Sequence, residues 1–162
     1  MDERIRNGAI LVTLFILAVF VLIALLPPQN CCAEKLRLDS FFPAANVILV
    51  SGSGSAVYPV YIANTLQQQQ QGYMNQTSLG DCNGLPGCLG MLFVFNRSGD
   101  LCFWMENTGI PLEQSWLDQN GIVTYVYNAT PYSTTNKCAF GTMVLETQPG
   151  RIRLGDLVAL QR

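Results

Sequence analysis

The feature that most constrains the fold is an uncharged apolar stretch near the N-terminus. Residues 8–26 contain no charged side chain and, apart from Thr13, no strongly polar one. A helix of about 20 apolar residues spans the hydrocarbon core of a bilayer. Pro27 and Pro28 then stop the helix, because proline lacks the amide donor and blocks the preceding turn. A buried core helix is the first alternative, but the stretch lacks a one-sided apolar stripe. The sequence therefore predicts a transmembrane anchor over residues 8–26, with residues 1–26 forming the cytoplasmic N-terminus and the anchor.

Two further alternatives concern processing of this stretch. The apolar core of a cleaved signal peptide usually spans about 7–15 residues and ends at a small-residue cleavage site. Here the run is longer, and the nearest candidate is Cys31-Cys32-Ala33. A lipoprotein signal ending at Cys31 would need small and aliphatic residues where Pro28-Gln29-Asn30 stands. An uncleaved anchor is the interpretation that these residues favour.

The rest of the chain is predicted to lie outside the cytoplasm, in a single-pass protein of the cell membrane whose N-terminus is inside. Two basic residues precede the span and two follow it, so the distribution of positive charge does not determine the orientation of the span. A short N-terminus before a first apolar segment favours this orientation. Six cysteines are many for a small domain kept in a reducing cytosol. Three Asn-x-Ser/Thr sequons agree with export where the organism glycosylates, and they begin at Asn75, Asn96 and Asn128.

The remaining residues divide into a linker, 27–45, and one domain, 46–162, that is predicted to be mainly β. Thr65 offers an N-cap for one short helix over Leu66–Met74. Short apolar runs separated by turn residues predict seven or eight strands. Two hairpins are expected, one joining residues 47–50 to 57–62 and one joining 91–95 to 101–105. These features predict a compact β sandwich or small barrel.

Five ordered motifs in residues 46–160 point to a known family. They are Ile62-Ala63-Asn64-Thr65 with Gly72-Tyr73-Met74, Gly90-Met91-Leu92-Phe93-Val94-Phe95, Phe103-Trp104-Met105-Glu106-Asn107-Thr108-Gly109-Ile110-Pro111-Leu112, Val144-Leu145-Glu146, and Gly150 with Leu154-Gly155-Asp156. With these motifs the chain resembles the domain of unknown function 192 family, small and often exported proteins of bacteria and archaea. The resemblance implies a compact, mainly β fold and no particular activity.

The chain departs from the family pattern at charged positions. Glu106 stands where the family usually has a basic residue, and Glu113 replaces the usual aspartate after Pro-Leu. The loop from Cys82 to Cys88 looks like an insertion. The reversal of charge at Glu106 puts in doubt any family role that depends on a cation at that position.

The residue types present restrict the chemistry. The chain has no histidine, which excludes Ser-His-Asp and Cys-His nucleophile pairs within one chain and the usual catalytic zinc ligands. Asp156, or Asp118 with Asn120, offers too few oxygens for a calcium site, so no metal and no cofactor are expected. The absence of a basic patch gives nucleic-acid binding no support. The cysteines are interpreted as Cys82–Cys88 and Cys102–Cys138 disulfides; four cysteines permit three pairings, and free buried thiols are the alternative.

A candidate binding pocket is predicted around the longest motif, comprising Trp104, Glu106, Asn107, Thr108 and Glu113. In a strand, Trp104 would share a face with Glu106 and Thr108. An aromatic floor beside a few polar groups is typical of a site for a small polar ligand or glycan, although a tryptophan is more often a core residue. The first hypothesis is thus a non-enzymatic, membrane-tethered binding or envelope-accessory domain. Alternatives are a glycan hydrolase that uses Glu106 and Glu113 as acid and base, and a structural module that binds an envelope protein.

Overall fold

A computed structural model of the chain describes residues 37–161. The anchor predicted over residues 8–26 and most of the predicted linker lie outside the described residues. Within residues 37–161, no helix is long and apolar enough to cross a membrane. The elements in chain order are α1 (Leu38–Phe41), β1 (Ala44–Ser51), β2 (Gly54–Ala63), α2 (Leu66–Gln71), β3 (Gly90–Phe103), β4 (Leu112–Leu117), β5 (Val123–Ala129), β6 (Lys137–Thr147) and β7 (Leu157–Leu160).

The strands form one seven-stranded sheet in the order β5-β4-β6-β3-β2-β1-β7. The pair β2–β3 is parallel, and the other neighbours are antiparallel. Curling brings the two ends of the sheet together, because the Val123 amide donates to the Asp156 carbonyl at 2.9 Å and the Val158 amide to the Gly121 carbonyl at 2.9 Å. The mainly β prediction is confirmed. The architecture is a curled half-barrel sheet and not two packed sheets.

The first predicted hairpin and the helix are present. Strands β1 and β2 pair from Ala44↔Tyr61 to Ser51↔Gly54, which leaves a two-residue turn. Helix α2 begins after Thr65, whose side chain accepts from the Gln68 amide in a capping box. A helix that was not predicted, α1, lies inside the predicted linker, and the residue after it, Phe42, is buried. Ordered structure therefore begins before residue 46.

The second predicted hairpin is wrong. Residues 91–95 and 101–105 were expected to pair, but β3 continues from Gly90 to Phe103 and both halves pair with β6. The register shifts between Val94 and Gly99. Residues 96–99, expected to reverse the chain, instead form an irregularity within a continuous strand. The strand ends at Phe103, so Trp104 and the residues after it are not part of the sheet.

Both faces of the sheet are buried. On one face, β1, β2 and β7 contribute Val47, Val60 and Val158 to a cluster that also includes Leu117 and Leu145. The opposite face carries a second cluster around Tyr61, Phe93 and Trp116, covered by α1 and by the segment that contains Tyr73. Successive residues of a strand point to opposite faces. Adjacent side chains along β4, and likewise along β6, therefore lie on opposite faces of the sheet. The face on which a carboxylate lies determines its role.

Candidate functional site

A cleft of about 490 Å³ opens where α2 and the segment after it meet β3, β6 and the turn after β3. Its volume is within the range of ligand pockets, roughly 300–1,000 Å³. The lining residues are Leu66, Gln69, Gln70, Gln71, Gly72, Tyr73, Met74, Phe93, Phe95, Cys102, Phe103, Trp104, Glu106, Thr108 and Glu146.

Aromatic side chains dominate the apolar walls of this cleft. The ring of Phe103 lies 4.9 Å from that of Phe93 and 6.3 Å from that of Phe95, in both cases nearly perpendicular to it. Such edge-to-face packing stabilises aromatic clusters beyond their buried area. Trp104 is 45% exposed, whereas Trp116 is wholly buried. The core tryptophan is therefore Trp116, and Trp104 is available to a ligand.

A buried carboxyl, Glu146, also lines the cleft. It stands opposite Gln114 in the β4–β6 register, and the Gln114 Nε2 donates to Glu146 Oε1 at 3.0 Å. Burial raises the pKa of Glu146 from 4.5 to about 7, and the Gln114 hydrogen bond opposes this shift. The group therefore changes charge near neutral pH, which is uncommon for a carboxyl and is frequent at functional sites.

Tyr73 lines the cleft together with Glu146. Its hydroxyl donates to the Leu79 carbonyl at 3.3 Å, and its side chain is almost fully buried. Burial, and to a lesser extent the negative charge of Glu146, raises the pKa of Tyr73 well above 10. The phenol is therefore neutral at physiological pH and contributes a rigid wall to the cleft.

Three of the five predicted pocket residues line this cleft: Trp104, Glu106 and Thr108. The reason for their proximity differs from the one expected. The sheet has ended at Phe103, and the chain turns at Glu106 and Asn107. The Thr108 amide donates to the Met105 carbonyl at 3.1 Å, and the Thr108 hydroxyl to the Glu106 carbonyl at 3.2 Å. A tight turn, and not strand alternation, brings the three side chains to one cavity.

Asn107 is not among the lining residues, and its contribution is made by the backbone. It adopts a left-handed conformation with φ 53°, which asparagine tolerates better than most residues. Its carbonyl accepts from the Asn75 amide at 2.7 Å. Asn107 thus fixes the turn that presents Glu106 and Thr108.

Glu113, the fifth predicted residue, lies elsewhere. It precedes Gln114 on β4 and therefore points to the opposite face of the sheet from the cleft. It is 3% exposed, and its carboxylate accepts from the Ile152 amide at 2.7 Å and from the Gly150 amide at 2.8 Å. Glu113 holds the loop between β6 and β7, so the predicted pairing of Glu106 with Glu113 as acid and base is not formed.

Replacing Glu113 by Gln should destabilise the domain by about 2 kcal/mol, because one of the two backbone donors would then face an amide nitrogen. Urea unfolding followed by tryptophan fluorescence measures the change. The control is Asp100→Asn, which alters an exposed carboxyl on β3. Equal stability of the two variants would contradict the structural role of Glu113.

Both predicted disulfides are formed. Cys82 and Cys88 close a short loop, with their Cα atoms 5.4 Å apart. Cys102 and Cys138 face each other in the β3–β6 register, with their Cα atoms 4.0 Å apart. The second disulfide borders the cleft through Cys102.

A second, more open cleft of about 600 Å³ lies beside α1. Tyr61 and Asp39 form its polar centre: the Tyr61 hydroxyl donates to Asp39 and accepts from the Cys82 amide at 3.0 Å. These hydrogen bonds join α1, β2 and the disulfide loop. Burial and the bond to Asp39 raise the pKa of Tyr61 to about 12, while the Tyr61 hydroxyl lowers that of Asp39. The arrangement is structural.

The lining residues that the sequence prediction omitted include Glu146 and the aromatic residues Tyr73, Phe93, Phe95 and Phe103. One local signal pointed to Glu146: a carboxylate directly after Val144-Leu145, inside an apolar strand where acidic residues are rare. No local signal places it beside Trp104 and Glu106, because that contact depends on the pairing of β6 with β3 and β4.

Comparisons with known proteins agree on the fold and leave the activity open. The model of the family DUF192, described as an uncharacterized ACR, matches residues 47–159. No curated protein sequence matches the chain.

Two solved structures are similar to this domain. One is a protein from Sinorhizobium meliloti 1021 provisionally named a transcription regulator; it is 25% identical, with a TM-score of 0.65, and the match covers 74% of this chain and 95% of that one. The other is a protein of unknown function from Novosphingobium aromaticivorans DSM 12444; it is 32% identical, with a TM-score of 0.62, over 71% of this chain and 84% of that one. Since the family model spans most of the chain and the motifs occur in order, the chain belongs to the DUF192 family.

Proposed function

We propose that the domain is a non-enzymatic binding module that holds a small organic ligand in the cleft between α2 and β3. The observation that carries the proposal is the cleft itself: about 490 Å³, walled by Phe93, Phe103 and Trp104, with the buried carboxyl of Glu146 among its lining residues. An apolar cavity with a few convergent polar groups is the usual form of a ligand site.

The exposure of Trp104 supports this proposal further. A large aromatic side chain left 45% exposed beside a cavity gains stability when a ligand covers it. The glutamine side chains of α2 provide amide groups at the rim, where Gln70 is exposed. A ligand with an apolar face and polar edges therefore fits the cleft, and sugars and small aromatic molecules both have this character.

We further propose that this module works outside the cytoplasm, tethered by residues 8–26. Two disulfides in a domain of this size support an oxidising compartment. Each sequon asparagine is exposed, so Asn75, Asn96 and Asn128 are all accessible to a glycosylating enzyme. Cysteine-scanning with a membrane-impermeant thiol reagent on intact cells tests the location. Labelling of an exposed cysteine introduced at Ser53 supports it, and labelling only after lysis contradicts it.

The binding proposal predicts that Trp104→Ala lowers ligand affinity by about tenfold without unfolding the domain. Thermal-shift screening of the full-length chain against glycans, nucleotides and small aromatic molecules identifies a ligand, because binding to the folded state raises the melting temperature. Calorimetry on the variant then gives the affinity. The matched control is Phe140→Ala, which removes an exposed aromatic side chain outside the cleft. Equal losses in the two variants, or no ligand in the screen, would contradict the proposal.

One observation supports a second candidate, a glycan hydrolase. Glu146, with its pKa raised to about 7, and Glu106 line the same cleft. Two carboxyls with different environments are the acid and nucleophile or base of most glycosidases. In this hydrolase hypothesis, Glu146 takes the place of Glu113 as the partner of Glu106. The hypothesis requires turnover of a glycan that is bound in the cleft, with turnover abolished by Glu146→Gln; binding without turnover favours the first proposal.

A further inference from the structure

The charges of the cleft are all of one sign. Among its lining residues, all of which lie in the described part of the chain, Glu106 and Glu146 carry carboxyl groups and none is lysine or arginine. Two cations of the described residues lie over aromatic rings outside the cleft: Lys137 lies over the ring of Tyr127 and Arg151 over that of Tyr58. Neither of these cation–π contacts involves an aromatic ring of the cleft.

One side of the cleft is lined by a packed group of aromatic rings. Phe103 contacts Phe93, Phe95 and Trp116 edge-to-face, and Phe93, Phe95 and Phe103 all line the cleft. Trp104 follows Phe103 directly and lines the same space. Several aromatic walls around one cavity are the arrangement that recognises ammonium groups, because each ring face is negative.

Glu146 completes this arrangement with a charge. The influences on its ionisation are burial and the Gln114 hydrogen bond; no cation from residues 37–161 offsets the cost of its negative form. A buried carboxylate without a counter-charge is unfavourable. A ligand that brings a positive charge supplies the missing partner.

We propose, as a development of the binding function above, that the cleft recognises an organic cation: a primary or quaternary ammonium group on an apolar body, with the ammonium held by Glu146 and the aromatic rings and the body lying along Trp104. Glu106 adds a second negative charge at the cleft. The same charges disfavour carboxylate and phosphate ligands, because like charges repel at short range and bring no compensating hydrogen bonds.

Recognition of a cation has a definite pH dependence. The groups that interact with Glu146 are the Tyr73 phenol from the segment after α2 and the Gln114 amide from β4, and the Glu106 carboxyl from the turn after β3 lines the same cleft. Tyr73 stays neutral and Gln114 does not titrate, so ionisation of Glu146 changes the charge of the cleft near neutral pH. Affinity for a permanent cation should rise about tenfold between pH 6 and pH 8 as Glu146 ionises. A neutral ligand that hydrogen-bonds to the protonated carboxyl should show the reverse.

The test uses size-matched probes of different charge on the full-length chain. Calorimetry at pH 8 measures the affinities of benzylamine, benzyltrimethylammonium, benzyl alcohol and benzoate. We expect both cations to bind at least about tenfold more tightly than benzyl alcohol, and benzoate to bind more weakly than either. The Glu146→Gln variant should lose this preference while retaining its affinity for benzyl alcohol, and the pH dependence should disappear with it.

The outcomes separate this inference from the binding function. If benzyl alcohol or benzoate binds as tightly as the cations, or if Glu146→Gln keeps the preference, the cation inference is overturned and the ligand site remains. If none of the four probes binds, the cation inference fails, and the screen described above decides whether the cleft binds anything. The control variant Asp100→Asn removes an exposed carboxyl outside the cleft and should leave all four affinities unchanged.

Discussion

The Glu146→Gln variant should be more stable than the unmodified chain at pH 8, by about 3 kcal/mol, and the difference should vanish near pH 4. The substitution keeps the size of the side chain. The new amide oxygen still accepts from Gln114, as Glu146 Oε1 does at 3.0 Å. What changes is the charge: the glutamine side chain does not ionise, whereas Glu146 becomes a buried carboxylate at pH 8, which is energetically costly.

The direction follows from the proton count. Burial raises the pKa of Glu146 from 4.5 to about 7, so between these values the folded state holds a proton that the unfolded state has lost. The stability of the unmodified chain therefore decreases as the pH rises from about 4.5 to 7. Asp39 and Asp118 have lowered pKa values and influence stability only in acid, whereas the raised pKa values of Tyr61 and Tyr73 matter only in strong alkali.

Urea unfolding between pH 4 and pH 9, followed by the fluorescence of the buried Trp116, measures this prediction. The unmodified chain should lose stability between about pH 4.5 and 7 and then level off, and Glu146→Gln should give a nearly constant free energy of unfolding. Asp100→Asn, which alters an exposed carboxyl, should follow the unmodified chain. A variant that parallels the unmodified chain at every pH would show that Glu146 is not the group that titrates.

The behaviour of Glu146 also shows where prediction from sequence reaches its limit. The β1–β2 hairpin and helix α2 with its Thr65 cap were predictable, because each depends on residues that are close in sequence. The mainly β class was predictable from the short apolar runs separated by turn residues. The continuity of β3 was not predictable, since residues 96–99 have the composition of a turn. Only the pairing of both halves of β3 with β6, which is distant in sequence, keeps this strand continuous.

The candidate site follows the same rule. Trp104, Glu106 and Thr108 are neighbours in sequence and meet in one cleft. Glu113 is separated from Glu106 by a short turn, so the two carboxyl groups were expected to lie close together. However, the polar side chain of β4 that reaches Glu146 is that of Gln114, and Glu113 points to the opposite face of the sheet. A shift of one residue in a strand reverses the face to which each side chain points, and sequence alone does not determine the alternation for β4, which begins directly after Pro111.

Removal of the Cys102–Cys138 disulfide should cost more stability than removal of Cys82–Cys88. Cys102 and Cys138 are separated by 36 residues in sequence, whereas Cys82 and Cys88 are separated by 6. In the chain-entropy account, closing the longer loop restricts the unfolded chain more, which corresponds to about 4 kcal/mol against about 2 kcal/mol for the shorter one. The double variant Cys102→Ala with Cys138→Ala is informative because both side chains are exposed, so the substitution removes little packing.

The segment closed by Cys102–Cys138 contains the turn with Trp104 and Glu106 as well as β4 and β5. The native register of β3 and β6 is also held by backbone pairing on both sides of the irregularity between Val94 and Gly99. The folded domain should therefore persist without this disulfide, with a lower free energy of unfolding. Urea midpoints of the two double variants at pH 6 provide the comparison. A larger loss for Cys82–Cys88 would contradict the entropic account. It would indicate instead that Cys82, which is fully buried in the cluster that contains Tyr61 and Tyr73, stabilises the domain chiefly by packing in the folded state.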